Sequence, residues 1–427
     1  SVKIFATIPL PNKIHEREMD KTDIPGTFNA GATLGPVNET NMTRIWNKHK
    51  QTNTPLKRKV FVGLSGGVDS AVAAYLLKRQ GYDVTGVYLK CWEGLETPSG
   101  VQFEDTCSWK EERRDALQVA AVLKIPFKTY DFVEEYRRDV VDDFFREYAL
   151  GRTPNPDVLC NRDIKFKSFL NRAVKEGADA IATGHYVLKE KSKAKSQNLN
   201  SKVKNVYDLK IAKDKSKDQS YFLWTLGQRE LEHSLFPVGA YHKVDIRRIA
   251  KAAGLPTASK PDSQGICFIG KVSVENFLRA KIPAVSGRVL TASGKQVGTH
   301  EGAAFYTIGQ RHGLALTAKL PYYVAAINIQ DNTITVAEGN SDEILYKHEV
   351  FLTNTSWING EPVKGGNYVA RLRYRQPLEK VDYTGFSNGR FQLIFKESQR
   401  AVAPGQSLVL YDGERVVGGG IIAEDSE

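Results

Sequence analysis

A short apolar run leads straight into a glycine-rich loop, and a helical pattern follows the loop. The apolar run covers residues 60–64, the loop at 65–70 has the sequence Ser-Gly-Gly-Val-Asp-Ser, and the helical pattern covers 71–78. This order predicts a buried strand, a turn whose backbone N–H groups surround an anion, and a helix that begins at that anion. The pattern therefore favours a fold with a parallel sheet and a phosphate site at the end of one strand.

The residue types in the loop suit phosphate. Gly66 and Gly67 let the backbone approach oxygen atoms that a Cβ would keep away. Ser65 and Ser70 add hydroxyl donors, and Asp69 can reach a magnesium ion that bridges phosphates. The loop is not a Walker A loop, because its lysine is missing, and it does not match G-x-G-x-x-G. A plain glycine turn would explain two adjacent glycines, but it does not explain the whole hexapeptide.

Strands and helices continue to alternate after the loop. Further strands are predicted at 84–89, 128–130 and 179–183, and helices at 109–123 and 132–148. This rhythm predicts β-α-β units around a parallel sheet. Helical patterns then dominate, for example at 244–253, before short alternating runs such as 322–328, 333–336 and 391–395. The later runs predict an all-β, barrel-like region.

The chain is expected to have an α/β fold with four parts. They are an irregular N-terminal extension at 1–56, a parallel-sheet nucleotide-binding domain at 57–212, a small, mostly helical central domain at 213–284 and a C-terminal all-β barrel-like domain at 285–427. A lysine-rich stretch at 189–204 is predicted to be the tip of a hairpin between strands at 186–188 and 206–211.

Composition limits the partners and the compartment. The net charge of +11 is consistent with a polyanionic partner or with a merely basic surface. The four cysteines are too few and too scattered for a secreted disulfide framework, and no CxxC pair occurs, so a reducing compartment is expected. Because no apolar run reaches the length of a membrane span, no membrane partner is expected. The first residues lack the apolar core of a signal peptide and include acidic residues, which leaves a processed organellar protein open.

Two cysteines lie in settings that suit chemistry. The segment 153–166 is predicted to be a proline-stiffened loop that holds Asp157 and Cys160 three residues apart, before a helix that starts near Asp163. Because a thiol near a helix N-terminus and basic residues has a stabilised thiolate, Cys160 is predicted to be a nucleophile. Cys267 lies in a second loop rich in proline and glycine. The remaining pair, Cys91 and Cys107, is better explained as small buried hydrophobes.

The hexapeptide at 65–70 resembles the PP-loop of the ATP pyrophosphatase superfamily, whose members cleave ATP between the α and β phosphates and attach AMP to a substrate oxygen. Further segments resemble, in the same chain order, the MnmA-type tRNA-specific 2-thiouridylases of bacteria and mitochondria. These segments are Asn-Pro-Asp at 155–157 with Cys-Asn at 160–161, Ala-Thr-Gly-His-Tyr at 182–186, Lys-Asp-Gln-Ser-Tyr-Phe at 217–222, Ser-Gln-Gly-Ile-Cys-Phe at 263–268, Tyr-Thr-Ile-Gly-Gln-Arg at 306–311 and Arg-Tyr-Arg-Gln at 373–376. The resemblance begins near residue 57 and excludes the extension and the lysine-rich stretch.

This resemblance implies a substrate and a sulfur relay. The implied substrate is tRNA, and the implied reaction uses ATP and Mg²⁺ to adenylate the C2 oxygen of the wobble uridine, which sulfur then replaces. Cys267 is expected to carry the sulfur as a persulfide, and Cys160 to act as its partner nucleophile, so that a disulfide forms and an external thiol resets the enzyme. A cysteine desulfurase or a relay protein is the implied sulfur donor. Asp157 is expected to act as acid or base or to contact the uracil, although a capping role stays open.

The resemblance also implies two sets of binding residues. The expected ATP site comprises Gly63, Leu64, Ser65, Gly66, Gly67, Val68, Asp69, Ser70, Leu89 and Gly184, with Asp69 as the candidate Mg²⁺ ligand. The expected tRNA contacts are Asn155, Pro156, Asp157, Lys217, Asp218, Gln219, Arg373 and Tyr374. His185 is predicted to be a packed structural histidine rather than a base. The lysine-rich stretch could add contacts to the tRNA backbone.

Two other functions compete with the tRNA sulfurtransferase. A PP-loop ligase that adenylates a small metabolite would explain the loop but neither the two loop cysteines nor the β domain. A non-catalytic RNA-binding protein would tolerate serine at both cysteines. Bacterial cytoplasm is preferred to the mitochondrial matrix as the compartment. The sulfur donor, the tRNAs recognised and the oligomeric state stay open at this stage.

Overall fold

The computed structural model describes residues 58–94, 109–192, 205–262, 273–314, 320–387 and 389–424. The predicted extension at 1–56, the two cysteines Cys107 and Cys267, and most of the lysine-rich stretch lie outside the described residues. What the sequence predicts for those residues stays a prediction.

The strands of the described ranges are numbered along the chain. They are β1 Lys59–Gly63, β2 Asp83–Lys90, β3 Phe127–Asp131, β4 Ala180–Ala182, β5 Val187–Lys191, β6 Tyr207–Ile211, β7 Ser234–Leu235, β8 Gly287–Thr291, β9 Gln296–His300, β10 Tyr322–Asn328, β11 Thr333–Glu338, β12 Tyr346–Trp357, β13 Tyr368–Arg371, β14 Glu379–Ser387, β15 Arg390–Arg400, β16 Ser407–Asp412 and β17 Arg415–Ile422.

The helices are numbered in the same way. They are α1 Val68–Arg79, α2 Trp109–Leu123, α3 Val133–Tyr136, α4 Asp142–Ala149, α5 Pro156–Leu159, α6 Leu170–Lys175, α7 Gln228–Glu232, α8 Lys243–Ala252 and α9 Val274–Leu278, with π-helical turns at Arg137–Val141 and Cys160–Phe169 and 3₁₀ turns at Ser220–Phe222, Ala303–Phe305 and Glu343–Leu345. Within the described ranges, every helix is too short or too polar to span a lipid bilayer.

Five strands form a parallel sheet in the order β3-β2-β1-β4-β7. Val60, Phe61 and Val62 of β1 are completely buried, as expected for a central strand that is covered on both faces. The chain places β2 on one side of β1 and β4 on the other, so the strand order reverses at the carboxyl end of β1. Ligands of such sheets bind at this reversal point. The predicted parallel sheet is confirmed, and the glycine-rich loop lies at its reversal point.

The helix that carries Cys160 begins earlier than predicted. It starts at Pro156, and the Asn155 side chain caps it by accepting a hydrogen bond of 3.4 Å from the N–H of Val158. The prediction of a start near Asp163 is wrong, because a proline in the first helical position and an asparagine before it initiate a helix instead of continuing a loop. From Cys160 onward the helix widens into a π-helical turn and continues into α6.

The β-rich part of the chain contains two sheets. Strands β10-β11-β8-β9 form a four-stranded sheet in that order. The larger sheet runs β12-β15-β14-β13-β16-β17-β6-β5, and β12 also pairs with β17, so that six strands close into a barrel. The hairpin of β5 and β6 joins this barrel through the pairing of Lys210 with Arg415. The predicted barrel-like region is confirmed, whereas its division into two sheets was not anticipated.

The loop ahead of α5 is fastened to the barrel. The N–H of Thr153 donates to the carbonyl of Pro404 at 2.9 Å, and the Gln406 amide donates to the carbonyl of Thr153 at 2.9 Å. The Tyr221 hydroxyl donates to the carbonyl of Ser407 at 2.7 Å. These buried or half-buried bonds fix the start of the Cys160 helix against the C-terminal part of the chain.

Candidate active site

The glycine-rich loop forms the turn from β1 to α1. The N–H and the hydroxyl of Ser65 each lie 3.2 Å from the Ser70 hydroxyl, which donates to the carbonyl of Gly67 at 3.2 Å. Gly67 precedes α1 in an extended conformation and supplies no side-chain cap. The first N–H groups of α1 therefore remain available to an anion, as the sequence predicted for this loop.

Two glycines of the predicted ATP set are required by close contacts. Gly66 has φ +71°, and a Cβ there would lie 2.5 Å from the carbonyl oxygen of Glu112 in α2. Gly184 follows β4, and a Cβ there would lie 2.6 Å from the backbone nitrogen of Ser70. The loop is thus enclosed by α2 on one side and by the segment after β4 on the other, and neither contact would tolerate a side chain.

The remaining residues of the predicted ATP set lie at the same edge of the sheet. Gly63 ends β1, and the N–H of the buried Leu64 donates to the carbonyl of Val87 at 2.8 Å. Leu89 is half-buried near the carboxyl end of the neighbouring strand β2, and Val68 is buried in the first turn of α1. The structure therefore brings the predicted set together at the carboxyl edge of the sheet.

Asp69 is engaged by residues that the sequence analysis did not single out. Both of its carboxylate oxygens lie 2.8 Å from the Lys243 ammonium, and the Tyr186 hydroxyl donates to it at 2.7 Å. Lys243 also lies 2.8 Å from a carboxylate oxygen of Asp262. A single ammonium group at the start of α8 thus joins the loop aspartate to Asp262.

The Asp262 carboxylate forms ion pairs with three basic side chains. Besides Lys243, its carboxylate contacts Arg247 at 2.7 Å and Lys217 at 2.8 Å. Hydrogen bonds and charges from the two lysines outweigh the opposing effect of burial and hold the pKa of Asp262 well below its usual range. This acidic residue therefore stays ionised and holds Lys217 and α8 beside the loop.

The described residues do not themselves build a metal cage. Within the part of the chain that the structure describes, no group of three or more His, Cys, Asp or Glu side chains could hold a metal ion. Asp69 supplies one carboxylate, and Lys243 already neutralises it. Magnesium at nucleotide sites commonly uses one or two carboxylates together with substrate phosphates and water. A fit for Mg²⁺ therefore depends on phosphate oxygens as its other ligands.

Cys160 lies in a hydrophobic cluster, and this position contradicts the prediction that its thiolate is stabilised. The residue is 9% exposed, and burial is the main cause that raises the pKa of its thiol above the usual value. The nearby Lys165 opposes this effect, whereas the charges of Asp157 and Asp163 add to it. The predicted stabilised thiolate is wrong for this structure, because the apolar surroundings outweigh the basic neighbours.

Asp157 shares these surroundings. Burial raises the pKa of its carboxyl, and Lys165 acts in the opposite direction. A carboxyl whose pKa is raised in this way can hold a proton nearer to neutral pH than an exposed aspartate can. The Lys165 ammonium donates to the side chain of Asn161 at 3.0 Å, so its charge is held on the same helix as both groups.

The segment 182–186 connects the loop with the Cys160 helix. Gly184 lies against the loop, and Tyr186 donates to Asp69. Between them, His185 lies with its ring centroid 5.8 Å from that of Phe166 on the Cys160 helix. Burial, followed by the charge of Lys165, lowers the pKa of His185 well below its usual value. A neutral, packed histidine agrees with the expectation for this residue.

The predicted tRNA residues 217–219 have their side chains engaged by the protein. Lys217 contacts Asp262, and the Gln219 side chain accepts from the N–H of Tyr186 at 2.9 Å. Asp218 is 2% exposed and accepts from the backbone of residues 212 and 220 and from the Ser220 hydroxyl. Its carboxylate therefore has no free face for tRNA, and a contact by Asp218 would have to use the backbone.

Arg373 and Tyr374 come close to the Cys160 helix through Phe222. The rings of Tyr374 and Phe222 have centroids 4.5 Å apart, and the carbonyl of Phe222 accepts from the Asn161 amide at 3.2 Å. Together with the Asn155 cap, three motifs that are distant in sequence thus meet around one helix. The structure does not describe Cys267, so its predicted pairing with Cys160 stays a prediction.

Sequence reasoning missed Lys243 and Asp262 as parts of the site. Lys243 lies in no glycine-rich loop, and its pairing with Asp69 depends on the packing of α8 against α1. Asp262 belongs to the Pro/Gly-rich loop that leads to Cys267, and it joins the site only through its contact with Lys243. Lys165 is one of the basic residues expected near Cys160, but it lies on the same helix as the thiol and not beside a loop.

The fold and the loop first define a class of protein. An α/β domain with a phosphate-binding loop at the reversal point of a parallel sheet is a nucleotide-binding domain. Residues 58–271 match the family model described as the tRNA methyl transferase HUP domain, residues 275–338 match the tRNA methyl transferase PRC-barrel domain, and residues 347–422 match the aminomethyltransferase beta-barrel domain.

Relatives that cover nearly the whole described chain then define the particular family. A tRNA-specific 2-thiouridylase MnmA of Acidovorax ebreus is 43% identical over 379 residues, which cover 86% of this chain and 98% of the relative. One of Paraburkholderia phytofirmans is 44% identical over 374 residues, covering 86% of this chain and 94% of the relative. This chain belongs to the MnmA family of tRNA-specific 2-thiouridylases, which confirms the resemblance. The family models carry the word methyltransferase, but full-length relatives at this identity are named for thiolation.

Proposed function

We propose that this chain is a tRNA-uridine 2-sulfurtransferase that activates the C2 oxygen of the wobble uridine with ATP and replaces this oxygen with sulfur. The observation that carries the proposal is the meeting of two sites through residues 182–186. On one side Gly184 and Tyr186 contact the phosphate loop, and on the other His185 contacts the helix of Asp157 and Cys160. One short segment therefore contacts both the phosphate loop and the helix that carries the thiol, in a chain that belongs to a thiolating family.

The loop and its neighbours hold ATP as a substrate. Backbone N–H groups at the start of α1 and the hydroxyls of Ser65 and Ser70 would bind phosphate oxygens. The Lys243 ammonium, which lies at Asp69, supplies the positive charge that a Walker A lysine supplies elsewhere. Mg²⁺ would bind at Asp69 with the phosphates and neutralise charge on them. The C2 oxygen of uridine attacks the α phosphorus, and pyrophosphate leaves.

The helix of Asp157 and Cys160 serves the second half of the reaction. In this proposal Asp157 contacts the extruded uracil and exchanges a proton with it, because burial raises the pKa of its carboxyl and so favours the protonated form more than in an exposed aspartate. The terminal sulfur of a Cys267 persulfide attacks C2, and AMP leaves. Cys160, once deprotonated, attacks the inner sulfur of Cys267, so that the new thiocarbonyl keeps its sulfur and a Cys160–Cys267 disulfide forms. An external thiol then reduces the disulfide.

The partners follow from the same chemistry. The net charge of +11 favours association with a polyanion, and the predicted contacts of Lys217, Arg373 and Tyr374 are of types that suit phosphate and exposed bases. A persulfide donor, such as a cysteine desulfurase or a relay protein, must load Cys267. The bacterial relatives and the few scattered cysteines support a bacterial cytoplasm as the compartment in this proposal.

The test incubates the purified chain with unmodified tRNA, Mg-ATP and a persulfide donor. Thiolated tRNA is scored by its retarded migration in a mercury-containing gel, and the nucleotide products by chromatography. We expect 2-thiouridine together with AMP and pyrophosphate in equal amounts. A parallel reaction with S-adenosylmethionine in place of ATP and persulfide is the control. Methylated tRNA there, without thiolation in the first reaction, would overturn the proposal.

A further inference from the structure

Arg400, the last residue of β15, carries a guanidinium group that lacks partners. Its Nε and one of its terminal nitrogens are buried and have no hydrogen-bond partner among the described residues. Its guanidinium carbon lies 4.6 Å from the centroid of the Tyr323 ring, so the group is stacked on one face. Buried donors of this kind are rare in folded proteins, because each loses its hydrogen bonds to water.

A second guanidinium group, that of Arg373, adds positive charge beside Arg400. Arg373 donates to the carbonyl of Ala401, the residue that follows Arg400. Burial, and then the positive charge of Arg400, lower the pKa of Arg373. In the described part of the chain, no carboxylate forms an ion pair with either arginine. Two like charges thus lie together without a countercharge, although buried charges are normally paired.

Gly309 lies beside both groups. It has φ +85°, and a Cβ there would lie 2.6 Å from the Cβ of Ala401, 3.6 Å from a terminal nitrogen of Arg373 and 4.0 Å from one of Arg400, while its N–H donates to the carbonyl of Val324 at 2.7 Å. Gly309 belongs to the predicted Tyr-Thr-Ile-Gly-Gln-Arg segment, for which the sequence analysis assigned no role to any residue. The two arginines and this glycine come from three distant parts of the chain.

We propose that Arg373 and Arg400, which both lie beside Gly309, form an anion site that binds one backbone phosphate of the tRNA. A phosphate accepts several N–H donors at once, and guanidinium groups match its geometry in pairs. It would supply the missing partners of Arg400 and separate the two like charges. The inference rests on the proposed function for the identity of the ligand, and it adds Arg400 to a contact expected only of Arg373.

The test measures tRNA binding by Arg400→Met, which keeps the length of the side chain and removes its charge and donors. Titrations run without ATP or a sulfur donor, at several salt concentrations. Loss of one phosphate contact is expected to weaken binding about tenfold near physiological salt and to make the slope of log affinity against log salt less steep by about 1. The control is Lys396→Met on the same strand, which removes an exposed charge that pairs with Asp382. We expect the control to change affinity by less than about twofold.

Thermal unfolding separates an anion site from a purely structural arginine. If Arg400 binds an anion, the Arg400→Met protein should unfold at the same temperature as the wild type or at a higher one, because the substitution removes an unpartnered buried charge. A lower unfolding temperature with unchanged tRNA affinity would overturn the proposal. So would inorganic phosphate that stabilises the wild type while Arg400→Met binds tRNA normally. A wild-type chain that binds no tRNA would overturn the proposed function itself.

Discussion

The phosphate loop and the helix of Cys160 lie in opposite surroundings. The loop presents an exposed Ser65 and uncapped N–H groups, and it is shaped by close contacts at glycine. The helix instead buries its thiol and raises the pKa of both Cys160 and Asp157. The loop is thus preformed and open to solvent, whereas burial disfavours the thiolate form of Cys160.

The strongest way to break this comparison is to remove the thiol. Cys160→Ser should lower tRNA thiolation by about a thousandfold or more, because the relay loses a nucleophile, while ATP affinity stays within about twofold. The measurement is single-turnover thiolation beside equilibrium binding of ATP. Cys91→Ser, at a half-buried cysteine outside the helix, is the matched control and should remain active. An active Cys160→Ser protein would show that the relay does not use this residue.

The next largest effect concerns the shape of the loop. Gly66→Ala combines a positive φ with a contact of 2.5 Å to the carbonyl of Glu112. We expect ATP affinity to fall about a hundredfold and the free energy of unfolding to fall by about 1–3 kcal/mol. Calorimetric binding and chemical denaturation measure the two quantities.

Gly67→Ala provides the comparison for Gly66→Ala. Its φ of −98° is ordinary, and a Cβ there would meet only the Ser65 hydroxyl, at 3.4 Å. Stability should therefore stay within about 0.5 kcal/mol of the wild type, while ATP binding weakens because the added Cβ lies against the Ser65 hydroxyl that the proposal assigns to phosphate. Equal losses of stability in both variants would contradict the contact argument.

A smaller effect tests whether Lys243 belongs to the nucleotide site. Lys243→Met should weaken binding of ATP and pyrophosphate about tenfold, since a charge near the phosphates is lost, and leave AMP affinity nearly unchanged. Lys251→Met, at an exposed lysine of the same helix, serves as the control. Equal weakening of ATP and AMP would show that Lys243 acts only by holding the structure together.

The same two regions show how far sequence could predict this molecule. The loop was predictable residue by residue, because its chemistry lies in six adjacent positions and needs only a strand before it and a helix after it. Lys243 and Asp262 were not, since Lys243 reaches Asp69 only through the packing of α8, and Asp262 joins the site only by contacting Lys243. Sequence pattern likewise predicted strands after residue 285 but not their pairing into two sheets, because alternation fixes the faces of a strand and not its neighbours.

The state of Cys160 shows why the second site was harder to predict. Local sequence displays basic residues beside the cysteine, and these suggest a thiolate. Burial depends on the hydrophobic cluster that surrounds Cys160, which includes Tyr136, Phe166 and Leu223 from separate elements. The desolvation that raises the thiol pKa is therefore a tertiary effect, and it outweighs the charges that are visible along the chain.

The smallest and most specific effect follows from Lys165. This residue is the cation that opposes burial at both Cys160 and Asp157, so Lys165→Met should raise both pKa values further. A thiol with a higher pKa is deprotonated to a smaller extent at any given pH. The rise of single-turnover thiolation with pH should therefore move to more alkaline pH, with a similar maximum rate. The rate of Cys160 alkylation against pH, followed by mass spectrometry, should move in the same direction.

Lys167→Met is the matched control, because this lysine lies on the same helix but is exposed and pairs with Asp163 at 3.4 Å. Its pH profile should coincide with that of the wild type. If Lys165→Met also kept the wild-type profile, the charge would not act on the thiol, and burial alone would determine its pKa. If the profile moved toward acid pH, Lys165 would be favouring the protonated thiol. The protonated form of the thiol would then be favoured by the lysine, and the contrast with the open phosphate loop would no longer be one of burial.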